Sequence, residues 1–240
     1  MDRQTELLAK EDPRFYAIDK LNTGLGCIAT IEKLNGQVLS FGLPSSPGLF
    51  LSLALNFKKQ VDKINLNNCF DIHPHPQGTW PEDHTNLFDF FELMVGQIIF
   101  SYTAIETFSN IRIPKDYKFQ VKRIDPKSTK EYNKDQVERR ISLDNKLDLI
   151  LTEIENVDSP KNDKDLWKNF IKHKGLRDRL IHLKSVDMNS SGPEINTIWG
   201  DLLRHHKTDF VTNSHKLIGH FIEHKNGSRW FKKFPYWKNE

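Results

Sequence analysis

The stretch TNLFDFFELMVGQIIFSYTAIETFSNIR, from Thr85 to Arg112, decides the fold class of this 240-residue chain. Apolar residues recur in it every three or four positions, which is the repeat of an α-helix. They are Phe88, Phe91, Val95, Ile98, Ile99, Tyr102, Ile105 and Phe108. Pro114 follows closely and predicts the end of the helix. A helix this long and apolar over a wide arc is typical of the central member of a helical bundle.

The sequence after Arg112 predicts three further helical regions. The first covers residues 135–155 and is expected to break near Ser142, whose side chain is of a type that caps helices. The next begins after Asp163, another favourable N-cap residue, and the last runs from Ile195 to about Glu223. Together with the long helix, they predict a mainly α fold.

Residues 1–80 have a different pattern. Asn35-Gly36 separates two short runs between Cys27 and Phe41, which predicts a β-hairpin because Asn-Gly readily adopts the positive φ angles of a tight turn. The apolar run Leu49–Leu55 fits either a buried strand or the start of a helix that reaches about Ile64. The proline-rich segment His73–Pro81 is predicted to be a linking loop.

These patterns divide the chain into three parts. Residues 1–80 form an N-terminal extension with a β-hairpin and no assigned role, residues 81–228 form the helical bundle, and residues 229–240 form an aromatic and basic tail that is expected to be irregular.

Composition favours a cytoplasmic protein that uses no metal. Cys27 and Cys69 are the two cysteines, and their spacing suits neither a disulfide framework nor a metal site. No window holds 18 consecutive apolar residues, and the N-terminus is too charged for a signal peptide. His220 and His224 lie one helical turn apart, but no third ligand follows the spacing of a known zinc motif. We therefore expect no cofactor.

Charge is unevenly distributed, although the formal net charge is only +3. From Lys161 to Lys184 there are eight Lys or Arg against three Asp, which leaves a net charge of about +5. Such a band is compatible either with ordinary solvated helix faces or with a surface that binds phosphate groups.

The run LRDRLIH, from Leu176 to His182, lies inside this basic band. At about 100° per residue, Leu176, Leu180 and Leu183 share one arc of a helix, and Arg177, Asp178, Ile181 and His182 lie on roughly the opposite side. We expect the leucines to be buried and the other four to be exposed. An exposed Ile181 among polar residues suits a surface that a second subunit covers.

This run resembles the Arg-x(4–6)-His signature of the HEPN family, which usually has a polar residue directly after the Arg. The resemblance extends over residues 85–225 through the long apolar helix with Glu106 and Asn110, through the segment Glu138–Leu147, and through the position of the motif on the third helix. It implies a four- to five-helix up-and-down bundle, here with a small β-containing extension at the N-terminus.

The resemblance also implies an activity. Catalytic HEPN proteins are metal-independent endoribonucleases whose products carry a 2′,3′-cyclic phosphate and a 5′-hydroxyl, and they typically form homodimers that bring two motifs into one cleft. Many serve bacterial defence, abortive-infection or toxin–antitoxin systems. For this chain the resemblance implies RNA, such as tRNA or mRNA, as the substrate, a second copy of the chain as a partner, and an antitoxin or defence protein as a further partner.

Roles follow for individual residues. His182 would act as the general base or acid, Arg177 would bind the phosphate and its transition state, and Asp178 would orient the imidazole. Glu106 and Asn110 are second-tier candidates. The residues expected to bind RNA are Lys172, Lys174, Arg179 and Lys184.

Three other interpretations remain open. The motif could be an ordinary solvated helix face, the chain could be a HEPN-like module that binds RNA or a protein without cleaving, or it could be a structural dimerisation domain. A buried structural role for Glu106 and Asn110 also remains open.

Overall fold

Helices form most of the computed structural model, which describes residues 12–14, 17–20, 24–27, 29–70, 84–189, 192, 194–222 and 229–235. The helices are α1 (Ser46–Val61), α2 (His84–Arg112), α3 (Lys134–Arg140), α4 (Leu143–Asn145), α5 (Leu151–Glu155), α6 (Lys164–Ile181), α7 (Ile198–Arg204), α8 (Phe210–Ile222) and α9 (Arg229–Lys232). A π-helical turn, Lys146–Ile150, joins α4 to α5. Three antiparallel hairpins pair β1 (Ala17–Lys20) with β2 (Gly24–Cys27), β3 (Ala29–Leu34) with β4 (Gln37–Gly42), and β5 (Lys118–Gln120) with β6 (Glu131–Asn133).

Helix α2 is the centre of the bundle, as its sequence predicted. It packs against α1 along much of its length and also contacts α6, α7 and α8. Its side chains enter two hydrophobic clusters, one around Ile105 and Phe108 and the other around Met94 and Ile98. By length and composition alone α2 could cross a membrane, and 44% of its most apolar stretch is buried inside the protein.

Helix α1 resolves the ambiguity of the run Leu49–Leu55, which is helical. Leu51 and Ala54 are fully buried in the same cluster as residues of α2 and α8. The close approach of α1 depends on Gly96, because a Cβ at that position would lie 2.7 Å from the Phe57 ring. The predicted boundary near residue 80 therefore does not separate two cores.

The predicted hairpin is present as β3 and β4. Asn35 and Gly36 have φ angles of 50° and 78°, the left-handed conformations that the tight turn requires. The two strands pair in register from Ala29 opposite Gly42 to Leu34 opposite Gln37. The loop predicted at His73–Pro81 lies outside the described residues.

The last predicted helix is divided in two. Helix α7 ends at Arg204, and α8 starts afresh at Phe210. The carboxylate of Asp209 accepts hydrogen bonds from the main-chain N–H and the hydroxyl of Thr212, so it caps the first turn of α8. The continuous apolar periodicity could not reveal this cap.

The tail was predicted to be irregular, and for Arg229–Lys232, which form α9, this was wrong. Trp230 and Phe231 of α9 are buried in the cluster that contains Phe108 and Phe221. Aromatic burial of this kind outweighs the basic composition of the segment, since each large ring removes much apolar surface from water.

Between α2 and α6 the predicted break near Ser142 is confirmed. Ile141 is extended and ends α3, and Ser142 occupies the N-cap position of α4. The β5–β6 hairpin was not predicted from the charged segment that contains it. Phe119 fixes this hairpin to the body, because its side chain is fully buried with Val137 and Ile150.

Candidate functional site

Helix α6 carries the motif. Its first turn is capped by Asp163, whose carboxylate accepts hydrogen bonds from the main-chain N–H groups of Asp165 and Leu166. The helix ends at Ile181, and His182 adopts φ −123° and ψ 68°, which is no longer helical. The main-chain N–H of His182 still donates to the carbonyl of Asp178 over 3.0 Å. His182 is thus the exposed residue that closes the last turn.

The predicted division of the helix faces is confirmed in part, because Arg177 and Asp178 were predicted to be exposed but are half-buried. Leu176 is buried, Leu180 is half-buried, and Ile181 is 55% exposed. Leu183 was predicted to be buried but is 46% exposed. The reason is that α6 has ended before Leu183, so the helical repeat no longer determines its direction.

Arg177 is held from three sides. Its Nη1 donates to Oδ1 of Asp178 over 2.8 Å, and its Nη2 lies 3.5 Å from Oε2 of Glu106 on α2. The guanidinium carbon lies 4.6 Å from the centre of the Tyr102 ring, a cation–π contact. Tyr102 itself is buried, and this burial raises the pKa of its phenol. We refer to Glu106, Arg177, Asp178 and His182 as the motif site.

The structure does not give Asp178 the contact that was predicted for it. Its carboxylate pairs with Arg177, and within the described part of the chain no side chain forms a hydrogen bond with the imidazole of His182. The link between Asp178 and His182 is the main-chain hydrogen bond that closes the helix. Asp178 therefore orients the guanidinium rather than the imidazole.

Both second-tier residues lie at or next to the motif site. Glu106 contacts Arg177, and Asn110, one turn further along α2, accepts a hydrogen bond of 2.9 Å from Nζ of Lys146. Lys146 is 2% exposed and also donates to the carbonyl of Glu138 over 2.8 Å. Burial lowers the pKa of this lysine.

Sequence reasoning missed Tyr102 and Lys146 for different reasons. Tyr102 belongs to the apolar repeat of α2 and was interpreted only as a core residue. Lys146 lies in the segment that carries the family resemblance, but a lysine beside Asn145 and Asp148 is typical of a solvated face. The π-helical turn that begins at Lys146 has no sequence signal of its own.

The four predicted RNA-binding residues have different surroundings. Nζ of Lys174 donates to the carboxylate of Asp144 over 2.9 Å. Burial alone would raise the pKa of Asp144, but the hydrogen bonds from Lys174 and Ser142 outweigh burial and lower this pKa. Lys172 is half-buried and its charge adds to the effect of burial in lowering the pKa of His205. The side chain of Lys184 is exposed.

Arg179 points away from the motif site. Its guanidinium donates to the carboxylates of Asp187 over 2.7 Å and Asp201 over 2.9 Å. Asp187 is buried, and the hydrogen bond from Arg179 is the main reason that its pKa falls to about 2. Arg179 therefore ties the end of α6 to α7, and its predicted contact with RNA stays a prediction.

A second histidine of α6, His173, lies in the core. Its Nε2 is 2.9 Å from the carbonyl oxygen of Ile98, which can only accept, so Nε2 carries the proton and Nδ1 accepts from the hydroxyl of Ser214 at 3.5 Å. Burial lowers the pKa of His173 to about 4. The ring is therefore neutral at physiological pH and structural.

No group of three or more His, Cys, Asp or Glu side chains that could hold a metal ion occurs within the described ranges. The imidazole of His220 contacts the main chain, with its Nε2 2.8 Å from the carbonyl oxygen of Asp158. His224 lies outside the described residues.

Comparison of the chain with protein-family models, with curated proteins and with solved structures finds no match.

Proposed function

We propose that this protein is a metal-independent endoribonuclease of the HEPN type that acts in the cytoplasm. One observation carries the proposal: α6 presents an oriented arginine, Arg177, and ends in an exposed histidine, His182. The guanidinium plane can bind two phosphate oxygens at once, and histidine exchanges protons near neutral pH. These are the two properties that cleavage of RNA without a metal requires.

The reaction is an intramolecular transfer. The imidazole of His182 takes the proton of a ribose 2′-hydroxyl, the 2′-oxygen forms a bond to phosphorus, and the bond from phosphorus to the 5′-oxygen breaks. A second imidazole, from the other copy of the chain, donates a proton to that 5′-oxygen. Arg177 stabilises the charge that grows on the non-bridging oxygens. The products are a 2′,3′-cyclic phosphate and a 5′-hydroxyl.

A homodimer would supply the second imidazole. Ile181 and Leu183 flank His182, and both are about half exposed. Two apolar side chains beside a catalytic group lose contact with water when a second copy covers them. This supports, for the proposed enzyme, an interface at the end of α6.

Phosphate must compete with the carboxylates of the motif site. In the unbound protein Nη1 of Arg177 is occupied by Asp178 and Nη2 faces Glu106. A phosphate entering from solvent would have to displace one of these carboxylates, whose side chains are 43% and 39% exposed for Asp178 and Glu106. Lys172, Lys174 and Lys184 would add electrostatic attraction for the RNA backbone.

The biological setting follows from the resemblance. A ribonuclease of this type suits a bacterial defence, abortive-infection or toxin–antitoxin system, in which a partner protein restrains the active site until it is needed. An antitoxin of this kind would have to cover Arg177 and His182.

The test is cleavage of total tRNA and of an mRNA in the presence of EDTA. His182→Ala should lower the rate by about 10²- to 10⁴-fold, the usual contribution of general acid–base catalysis. Arg177→Lys keeps the charge but loses the paired donors, and should lower the rate by about 10²-fold. The matched controls are His220→Ala and Arg139→Lys, which change the same residue types outside the motif site. Equal rates in all variants, or no cleavage by the wild type, would refute the proposal.

A non-catalytic RNA-binding module is the second candidate. It is favoured by the two carboxylates at Arg177, because these lower the local positive charge that catalysis uses. In that case His182→Ala would leave RNA binding and cellular function intact, and Lys168→Glu with Lys172→Glu would abolish both.

A further inference from the structure

A buried lysine lies beneath the motif site and has no part in the proposed reaction. Lys146 connects three segments of the chain: its own π-helical turn, Asn110 of α2 and the carbonyl of Glu138 in α3. Lysine is rarely buried to this degree unless it is paired with an acid. Here both direct partners are neutral oxygen atoms, and in the described part of the chain no carboxylate lies within ion-pair distance of its Nζ.

The local backbone also distinguishes Lys146. Side chains within a regular helix follow a fixed repeat, and a π-helical turn interrupts that repeat; such turns are rare and concentrate at functional sites. This turn starts at Lys146 and is followed by the regular helix α5. Three of its side chains, those of Lys146, Leu147 and Ile150, enter the interior, and Lys146 is the charged one among them.

Glu106 connects this lysine to Arg177. It lies one helical turn before Asn110, so both side chains lie on the same side of α2. Its Oε2 lies 3.5 Å from Nη2 of Arg177, and its carboxylate, like that of Glu138, attracts the ammonium of Lys146 electrostatically. A charge inside the protein acts over a longer distance than one in water, because the surroundings screen it less.

We propose that Lys146 is a positioning residue of the motif site: its buried ammonium fixes Asn110, attracts the carboxylate of Glu106, and thereby holds the guanidinium of Arg177 over Tyr102. Lys146 does not touch the RNA. The inference rests on the proposed function for its kinetic consequence only, since the orientation of Arg177 can be measured without substrate.

The direct readout is the NMR signal of the Arg177 guanidinium in ¹⁵N-labelled protein, assigned by its loss in Arg177→Lys. In the wild type the signal should be displaced by the ring current of Tyr102, because the two groups are 4.6 Å apart. In Lys146→Gln, which keeps polar contacts but removes the charge, the signal should move to the position of exposed arginines. An unchanged signal in folded Lys146→Gln would overturn the proposal.

The matched control is Lys134→Gln. Lys134 is also partly buried and donates to a main-chain carbonyl, that of Ile113, over 2.7 Å, but it contacts Glu138 rather than Glu106. Its loss should leave the Arg177 signal in place. If Lys134→Gln moves the signal as far as Lys146→Gln does, the effect is general loosening and the proposal fails.

A second variant keeps the test decisive if Lys146→Gln does not fold. Asn110→Ala removes one of the two oxygens that fix the ammonium, at a half-buried position. The proposal requires this variant to displace the Arg177 signal, and an undisturbed signal would refute it.

The kinetic arm separates this inference from the proposed function. In an active enzyme, Lys146→Gln should lower kcat about tenfold with little change in KM, because a misaligned arginine costs transition-state stabilisation more than binding. Loss of thermal stability with an unchanged kcat would assign Lys146 a purely structural role. If the wild type cleaves no RNA, the proposed function fails, and the NMR comparison still decides the role of Lys146.

Discussion

Glu106 of α2 and Arg177 of α6 face each other across the helix interface, with Oε2 and Nη2 3.5 Å apart. The two residues are 71 positions apart in sequence, and the pair joins the central helix of the bundle to the helix that carries the motif. The guanidinium has a fixed orientation, because Asp178 and Tyr102 hold it from two further sides.

Removing the carboxylate of Asp178 should strengthen RNA binding. Asp178 competes with phosphate for Nη1 of Arg177, and exposed ion pairs of this type contribute about 0.2–1 kcal/mol. We expect Asp178→Asn to lower the Kd for a short RNA by a few-fold. Asp165→Asn in the first turn of α6 makes the same change in net charge and controls for long-range attraction. Weaker binding by Asp178→Asn would contradict the competition.

The burial of His173 predicts an acid-sensitive stability. The pKa is about 4 in the folded protein and about 6.5 in the unfolded chain, so below pH 6.5 the unfolded state binds a proton that the folded state does not. The free energy of unfolding should therefore fall by about 1.4 kcal/mol per pH unit from pH 6.5 to 4 on account of this group, and this loss should stop below pH 4.

Urea unfolding at several pH values checks this dependence. His173→Gln should flatten the curve between pH 6.5 and 4, because glutamine can still donate to the Ile98 carbonyl but does not titrate. His220→Gln, at a less buried histidine, should leave most of the slope. A wild-type stability that is constant over this range would show that His173 protonates freely in the folded state.

Arg179 should act on stability and not on RNA. Its guanidinium satisfies the buried Asp187, and breaking a buried pair on one side typically costs about 3–5 kcal/mol. Arg179→Met should lower the melting temperature strongly and, where folded, leave the salt dependence of RNA binding unchanged. Lys184→Met, at an exposed position, should leave the melting temperature unchanged. It should reduce the slope of log K for RNA binding against log salt concentration by about one. A weaker salt dependence for Arg179→Met would instead support Arg179 as an RNA ligand.

The end of α6 should contain the dimer interface. Ile181→Asp combined with Leu183→Asp places two charges on this surface, and both positions are exposed in the single chain, so folding should be unaffected. Native mass spectrometry should detect dimers for the wild type and monomers for the double variant. Ile31→Asp, at an exposed apolar residue of β3, is the control and should remain dimeric. A monomeric wild type would refute the interface.

The sequence predicted those parts of the fold that local patterns determine. Helix α2 follows from its apolar repeat, the β3–β4 turn from Asn35-Gly36, and the start of α6 from Asp163. The sequence could not predict the division of the last helix at Asp209 or the burial of Trp230, because both depend on which distant surfaces are available for packing.

The same distinction applies to the motif site. Helical spacing placed Ile181 on the outer face of α6, as observed. Arg177 was predicted on the same face but is half-buried against Glu106 and Tyr102 of α2. Helical spacing could not predict that Asp178 pairs with Arg177 rather than with His182. The helix ends at Ile181, so the helical repeat no longer determines the direction of the His182 side chain. Lys146 could not be predicted as a buried residue, because its burial depends on Asn110 and Glu138, which other segments bring to it.

The end groups of the cleaved RNA test the central claim most directly. A synthetic RNA with one mapped cleavage site would be incubated with the protein in EDTA, beside the same RNA with a single 2′-deoxy nucleotide on the 5′ side of that site. The account predicts a 2′,3′-cyclic phosphate and a 5′-hydroxyl from the first RNA and no cleavage of the second. Cleavage of the deoxy-substituted RNA at the same site, or products with a 5′-phosphate, would contradict it.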